Sequence, residues 1–305
     1  MLIVLSALLP IALILGLGKL IASNNLLTAE GWIGLERITY FVLFPALIVS
    51  KLAVADFSDV DWRMPTALVG AQLILSLISI VLGALLRQSR DRLGVFVQSS
   101  ARWNTFIALA LAQDIIGPTG LALVAVAAAV MIPAANILSV TALMHFANRG
   151  VKPLQLLKQL AFNPLVLACL IGLSLNVTGT ALPAMGFQIL DLLAQATIAI
   201  GLLTTGAAIQ VKQQSVPLSV ITSWSVLRLL GLPAIAGSLA LVLGVTPEIL
   251  IVMLIATSVP TAVNGTVLAR QLGADAGLAA NLIACQTLLA IASIPLVLWA
   301  VTVLS

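Results

Sequence analysis

The sequence predicts an all-α polytopic membrane protein: ten transmembrane helices in two inverted five-helix repeats, with helices 4 and 9 broken. Three observations carry that reading. First, 61% of the 305 residues are hydrophobic and 8% are charged, at a mean hydropathy of +1.20, whereas soluble domains carry roughly 25% charge. Second, the apolar runs exceed the ~14 residues of a buried core helix. They are also continuous, which excludes the alternating pattern of a transmembrane β-barrel. Third, features of the first half recur in the second at an offset near half the chain length.

The spans fall at about residues 2–20, 34–54, 66–87, 93–113 and 119–146, then 160–178, 184–209, 217–245, 248–270 and 275–303. Span 1 opens on Met1-Leu2-Ile3-Val4, with no basic region and no small-residue cleavage site. It therefore reads as a retained span and not a signal peptide. Span 2 carries Glu36 near its start and Phe44-Pro45 within it, and the loop after it holds Asp56, Asp59 and Asp61. Span 4 contains Ser99-Ser100, Arg102 and Asn104, and the turn Gly117-Pro118-Thr119-Gly120 leads into span 5. Span 5 holds Pro133 and Asn136 and ends at His145, the lone histidine, read as interfacial. A short connection, Asn148 to Gln159, leads to span 6, which opens on Asn163-Pro164. Span 7 has Asp191, Gly201 and Gly206, and span 8 has Arg228. Span 9 is interrupted by Pro260, which removes a backbone donor and clashes with the preceding turn. The turn Gly273-Ala274-Asp275 then leads to span 10, with Asn281, Gln286 and Pro295. Cys169 and Cys285 lie inside apolar runs and read as small buried hydrophobes.

Lys and Arg set the orientation. With the N-terminus outside, the inner ends and loops hold Lys19, Arg37, Arg87, Arg90, Arg92, Arg149, Lys152, Lys158, Lys212 and Arg270, against Lys51 and Arg63 outside. Both termini are then exterior. The repeat shows as Pro10 with Pro164 and Gly18 with Gly172 at offset 154, Glu36 with Asp191 at 155, Gly120 with Gly277 at 157, and Asn104 with Asn264 at 160. Five spans is an odd number, so the second unit (151–305) enters from the side opposite the first (1–150). That is an inverted repeat, and paired interrupted helices in such a repeat point to a transporter's binding site near the midplane.

Unwound backbone at that depth is tolerated only where it is buried in protein or lines a cavity, and half-helix N-termini point donors at anions. Asn104 and Asn264 offer amides to a carboxylate or bridge the broken helices. Thr105, Thr266 and Ser258 add hydroxyls. Asn136, Asn281 and Gln286 are intramembrane amides suited to packing or to lining a site. Arg102 either faces an inner vestibule or snorkels to the interface, and Arg228 poses the same question.

The absences also bear on function. No Asp or Glu stands clearly at the middle of a span, as a proton-coupled cation antiporter needs. There is no HExxH and no Walker A sequence. The expectation is no enzyme, no metal, no cofactor and no nucleic-acid partner.

Phe44-Pro45-Ala46-Leu47, Arg102-x-Asn104-Thr105, Asn163-Pro164-Leu165, Pro260-x-x-x-Asn264, Leu268-Ala269 and Gly273-x-Asp275 occur in order along the whole chain. Together they resemble the auxin efflux carrier family, in a compact bacterial form with a short central connection. The resemblance implies a scaffold and homodimer interface from spans 1, 2, 6 and 7. It implies a transport domain from spans 3–5 and 8–10, in which spans 4 and 9 cross and hold the substrate. It further implies elevator-type movement of small organic anions across a bacterial inner membrane. Asn104, Asn264 and Pro260 carry over from the family's crossover; its span-4 proline has no counterpart here. Two other readings remain: a sodium-coupled symporter of the bile acid carrier type, and a non-transporting membrane receptor.

Overall fold

The computed structural model describes residues 2–55, 62–147, 161–209 and 216–304. Among these every regular element is a helix. They are α1 (Leu2–Ser23), α2 (Ala29–Leu52), α3 (Arg63–Leu85), α4 (Arg90–Ala101), α5 (Thr105–Ile115), α6 (Pro118–Phe146), α7 (Pro164–Val177), α8 (Ala184–Ala207), α9 (Leu218–Leu243), α10 (Pro247–Ser258), α11 (Gly265–Gln271) and α12 (Ala276–Leu304). Seven of the described helices are long and apolar enough to cross a membrane, namely α1, α2, α3, α6, α8, α9 and α12. The segment expected as span 4 is two helices, α4 and α5, and that expected as span 9 is also two, α10 and α11. At 1.5 Å per residue the longest of these four reaches about 18 Å, short of a hydrocarbon core of about 30 Å. The basic residues Arg149, Lys152, Lys158 and Lys212, the loop acids Asp56, Asp59 and Asp61, and the connection at 148–159 lie outside the described residues.

Local chemistry sets the helix ends. Thr28 caps α2 by accepting from the Gly31 N–H at 3.1 Å. This places the start of the helix several residues before the expected limit, because Glu30, Glu36 and Arg37 hide its amphipathic first turns. Asn163 caps α7, accepting from the N–H groups of Leu165 and Val166, with Pro164 at the first helical position. Proline there loses nothing, since that N–H has no helical partner. Asp275 accepts from the Leu278 N–H at 2.8 Å at the start of α12. Gly117 (φ +85°) and Gly273 (φ +72°) make the left-handed turns after the two broken segments. Two helices contain a π-helical turn just before a proline: Thr39–Leu43 before Pro45 in α2, and Leu227–Gly231 before Pro233 in α9. The wider turn accommodates a ring that would clash with a regular one.

The helices pack in two groups. α1 lies along α8, and α2 packs on α7 and α8. α3, α4, α5 and α6 pack together, α9, α10, α11 and α12 do likewise, and α3 joins the two sets through α9. α1 and α8 approach closely: a Cβ on Gly18 would fall 2.1 Å from the Leu203 carbonyl oxygen, and one on Gly206 would fall 2.0 Å from that of Leu15. The outward face of α1 presents Leu5, Leu9, Leu13 and Leu17, each roughly half exposed or more. Their four-residue spacing makes one apolar stripe suited to lipid.

Candidate functional site

Where α4 stops at Ala101 and α5 starts at Thr105, three residues run extended; between α10 and α11, six residues, 259–264, leave the helix. The two breaks meet: the Asn104 N–H donates to the Pro260 carbonyl at 2.7 Å. Each break strands backbone groups that a buried site must satisfy, and side chains from surrounding helices do so. Gln72 Nε2 donates to the Ala101 carbonyl at 2.8 Å, and Gln98 Nε2 donates to that of Gly265 at 3.0 Å. Gln286 Oε1 accepts from the Thr261 N–H at 2.9 Å. Arg228 donates to the carbonyls of Arg102 and Thr257. All four side chains are buried. At Ala101, Arg102, Thr257 and Thr261 an amide or guanidinium thus replaces a lost helical bond, each worth about 1–3 kcal/mol against the unpaired alternative, while Gln98 ties the first broken segment to the start of α11.

Beside the crossing lies a cavity of about 730 Å³, large enough for a small organic molecule. Arg102, Trp103, Asn104 and Thr105 from the first break form part of its wall, as do Ala262, Val263 and Asn264 from the second. Asn136 of α6, Tyr40 and Phe44 of α2, Asn163 before α7 and Thr204 of α8 complete the deeper lining. The exposed Arg37, Arg270 and Gln271 also line it. The cavity therefore runs from the buried crossing to an exposed end, where Ile33, Phe41 and Val267 lie beside those polar side chains. Its charged walls are Arg37, Arg102 and Arg270 against Glu36, an excess of positive charge.

Arg102 is the central group. Its side chain is buried, with Nη1 donating to Asn136 Oδ1 at 3.1 Å and Nη2 to Asn264 Oδ1 at 2.9 Å. Its Nε–H has no partner. A guanidinium has five N–H donors, and among the described residues no carboxylate pairs with this one. Neutral amide oxygens orient the fork while leaving its charge uncompensated. That arrangement suits a carboxylate, which an arginine fork binds through two parallel bonds.

The other expected residues take different places. Asn104 caps α5, its Oδ1 accepting from the Ile107 N–H at 3.2 Å, while Nδ2 donates to Thr205 Oγ1 of α8 at 3.2 Å. Asn264 holds Arg102, so its oxygen serves the guanidinium. Thr105 lines the cavity and is buried. Pro260 supplies its carbonyl to Asn104. Ser258 is fully buried with its hydroxyl donating to the Ile255 carbonyl, and Gln286 bonds Thr261; neither lines the cavity, nor does Thr266. Gln72, Gln98, Thr205, Trp103 and Tyr40 stand outside the expected site residues. A glutamine within an apolar span was the available signal for the first two. Tyr40, the chain's only tyrosine, gave none until its hydroxyl was seen to accept from Asn163 Nδ2 at 3.1 Å.

A family model described as membrane transport protein matches residues 3–298, nearly the whole chain. No curated protein matches the sequence.

Proposed function

The chain belongs to the membrane transport protein family, the auxin efflux carriers, and from that premise we propose that it is a secondary transporter of small organic anions. The observation that carries the reading is Arg102: a buried guanidinium in a cavity wall, held by Asn136 and Asn264 and lacking a carboxylate partner among the described residues. A substrate carboxylate supplies the missing countercharge. The N-terminus of α5, capped by Asn104, adds partial positive charge beside it.

The same reading takes the chain as a ten-span inverted repeat. α4 with α5 and α10 with α11 are its two broken members. α1, α2, α7 and α8 form the scaffold and homodimer surface, and the remaining helices form a transport domain that slides against it. The two packing groups favour that division. The Asn104–Thr205 bond then crosses the sliding boundary and must break in each cycle. Arg37 and Arg270 mark the open end of the cavity as cytoplasmic by the positive-inside rule, so this conformation faces inward. The protein sits in a bacterial inner membrane with both termini on the periplasmic side.

Uptake of labelled mono- and dicarboxylates into proteoliposomes tests the proposal. At least one acid accumulates with wild-type protein, and the paired Asn104→Ala and Asn264→Ala substitutions reduce uptake while the protein stays folded. Wild-type uptake in that folded double variant would sink the proposed site. Specific binding of an acid without uptake would instead favour a receptor.

A further inference from the structure

Arg228 lies in the π-helical turn Leu227–Gly231 of α9 and is 0% exposed. Its Nη1 donates to the Thr257 carbonyl at 2.6 Å, and its Nη2 and Nε donate to the Arg102 carbonyl at 3.1 and 3.4 Å. No carboxylate among the described residues pairs with it. The two carbonyls have something in common: Arg102 is the extended residue immediately after α4, in the first break, and Thr257 lies in the last turn of α10, at the edge of the second. One guanidinium therefore serves the C-terminal end of α10 and the unwound backbone that follows α4. A helix C-terminus carries about −0.5 of an elementary charge, which α10 presents to Arg228 through Thr257, and the unwound Arg102 carbonyl adds a second acceptor. In transporters built on broken helices, such ends and unwound carbonyls are where a coupling cation is held.

We propose that Arg228 is a resident cation: a positioning residue that occupies the place of a coupling ion, ties α4 to α10, and holds the crossing together without sodium. It touches Arg102 only through the backbone carbonyl, so it acts on the anion site by fixing where the Arg102 side chain starts. Removing it leaves two carbonyl ends facing a hole of guanidinium size, which a small free cation can fill.

The test is thermal unfolding of the full chain in nanodiscs, a readout that does not depend on transport. Arg228→Ala unfolds at a lower temperature than wild type. Low-millimolar guanidinium raises the variant's midpoint by about 3 °C at roughly tenfold its dissociation constant. Wild type does not respond, and N-methylglucamine at equal ionic strength has no effect on either. A folded Ala variant indifferent to guanidinium and to sodium overturns the proposal. Should the Ala variant not fold, Arg228→Lys and Arg228→Met decide between charge and volume. Lys retains more stability than Met if the residue is a cation, and the reverse order overturns it. A second arm rests on the transport reading: wild-type uptake is unchanged when N-methylglucamine replaces sodium. Sodium-dependent wild-type uptake overturns the resident-cation role while leaving organic-anion transport intact.

Discussion

Arg102→Gln is the substitution that separates a charge-binding site from a polar cavity. Glutamine keeps a donor on a shorter stem but removes the cation and the fork, so Asn136 and Asn264 each lose the bond they accept at 3.1 and 2.9 Å. The direct attraction between a guanidinium and a carboxylate 4 Å away is about 4 kcal/mol at an effective dielectric of 20. Part of that is offset by desolvating both ions, and hydrogen bonds to charged groups retain about 1.5–3 kcal/mol. The affinity for a carboxylate substrate should therefore fall about 10- to 150-fold. Arg102→Lys keeps the charge and loses the fork, so it lands between Gln and wild type. The assay is equilibrium binding of the transported acid to purified protein, beside thermal unfolding to show that each variant is folded. A folded Arg102→Gln protein that binds the acid with wild-type affinity would mean that the cavity does not use this charge.

Other substitutions probe the parts that hold the site. Gly206→Leu puts a side chain where the Leu15 carbonyl oxygen already stands 2.0 Å from an added Cβ. Such overpacking costs about 1–3 kcal/mol or more, and a lower unfolding midpoint in detergent is the expected result. Gln286→Leu leaves the Thr261 N–H without its acceptor, at a cost of about 1–3 kcal/mol; an unchanged midpoint would show that this amide does not need the bond. Asn163→Ala removes a cap from two N–H groups of α7 and a contact to Tyr40, lowering stability by about 1 kcal/mol, readable in the same experiment.

Composition and run length were enough to read an all-helical, multi-pass chain, because a bilayer admits few other solutions to continuous apolar sequence. The interruption in the second half was legible from Pro260, whose missing N–H announces itself. The first was harder: Ser99, Ser100 and Arg102 do not break a helix on propensity. What keeps that segment open is tertiary, namely Gln72 on the Ala101 carbonyl, Arg228 on that of Arg102, and the pairing of Asn104 with Pro260. Those partners lie roughly 30 to 160 residues away in sequence, beyond the reach of any local pattern. For the same reason Arg102 stayed undecided between vestibule and interface until its bonds to Asn136 and Asn264 placed it in the cavity wall. Of the two expected roles, bridging the broken helices is the one Asn264 takes, by accepting from Arg102 across the breaks; the cap that Asn104 makes on α5 was not legible, since a cap looks like any intramembrane amide.

On the proposed function, the cavity moves an organic anion with its charge. Electrogenic current from proteoliposomes challenged with a panel of mono- and dicarboxylates, with and without a sodium gradient, tests it most directly. Current is expected for at least one acid, indifferent to sodium and abolished in Arg102→Gln. Current of equal size in Arg102→Gln, or current only for a cationic substrate, would contradict it.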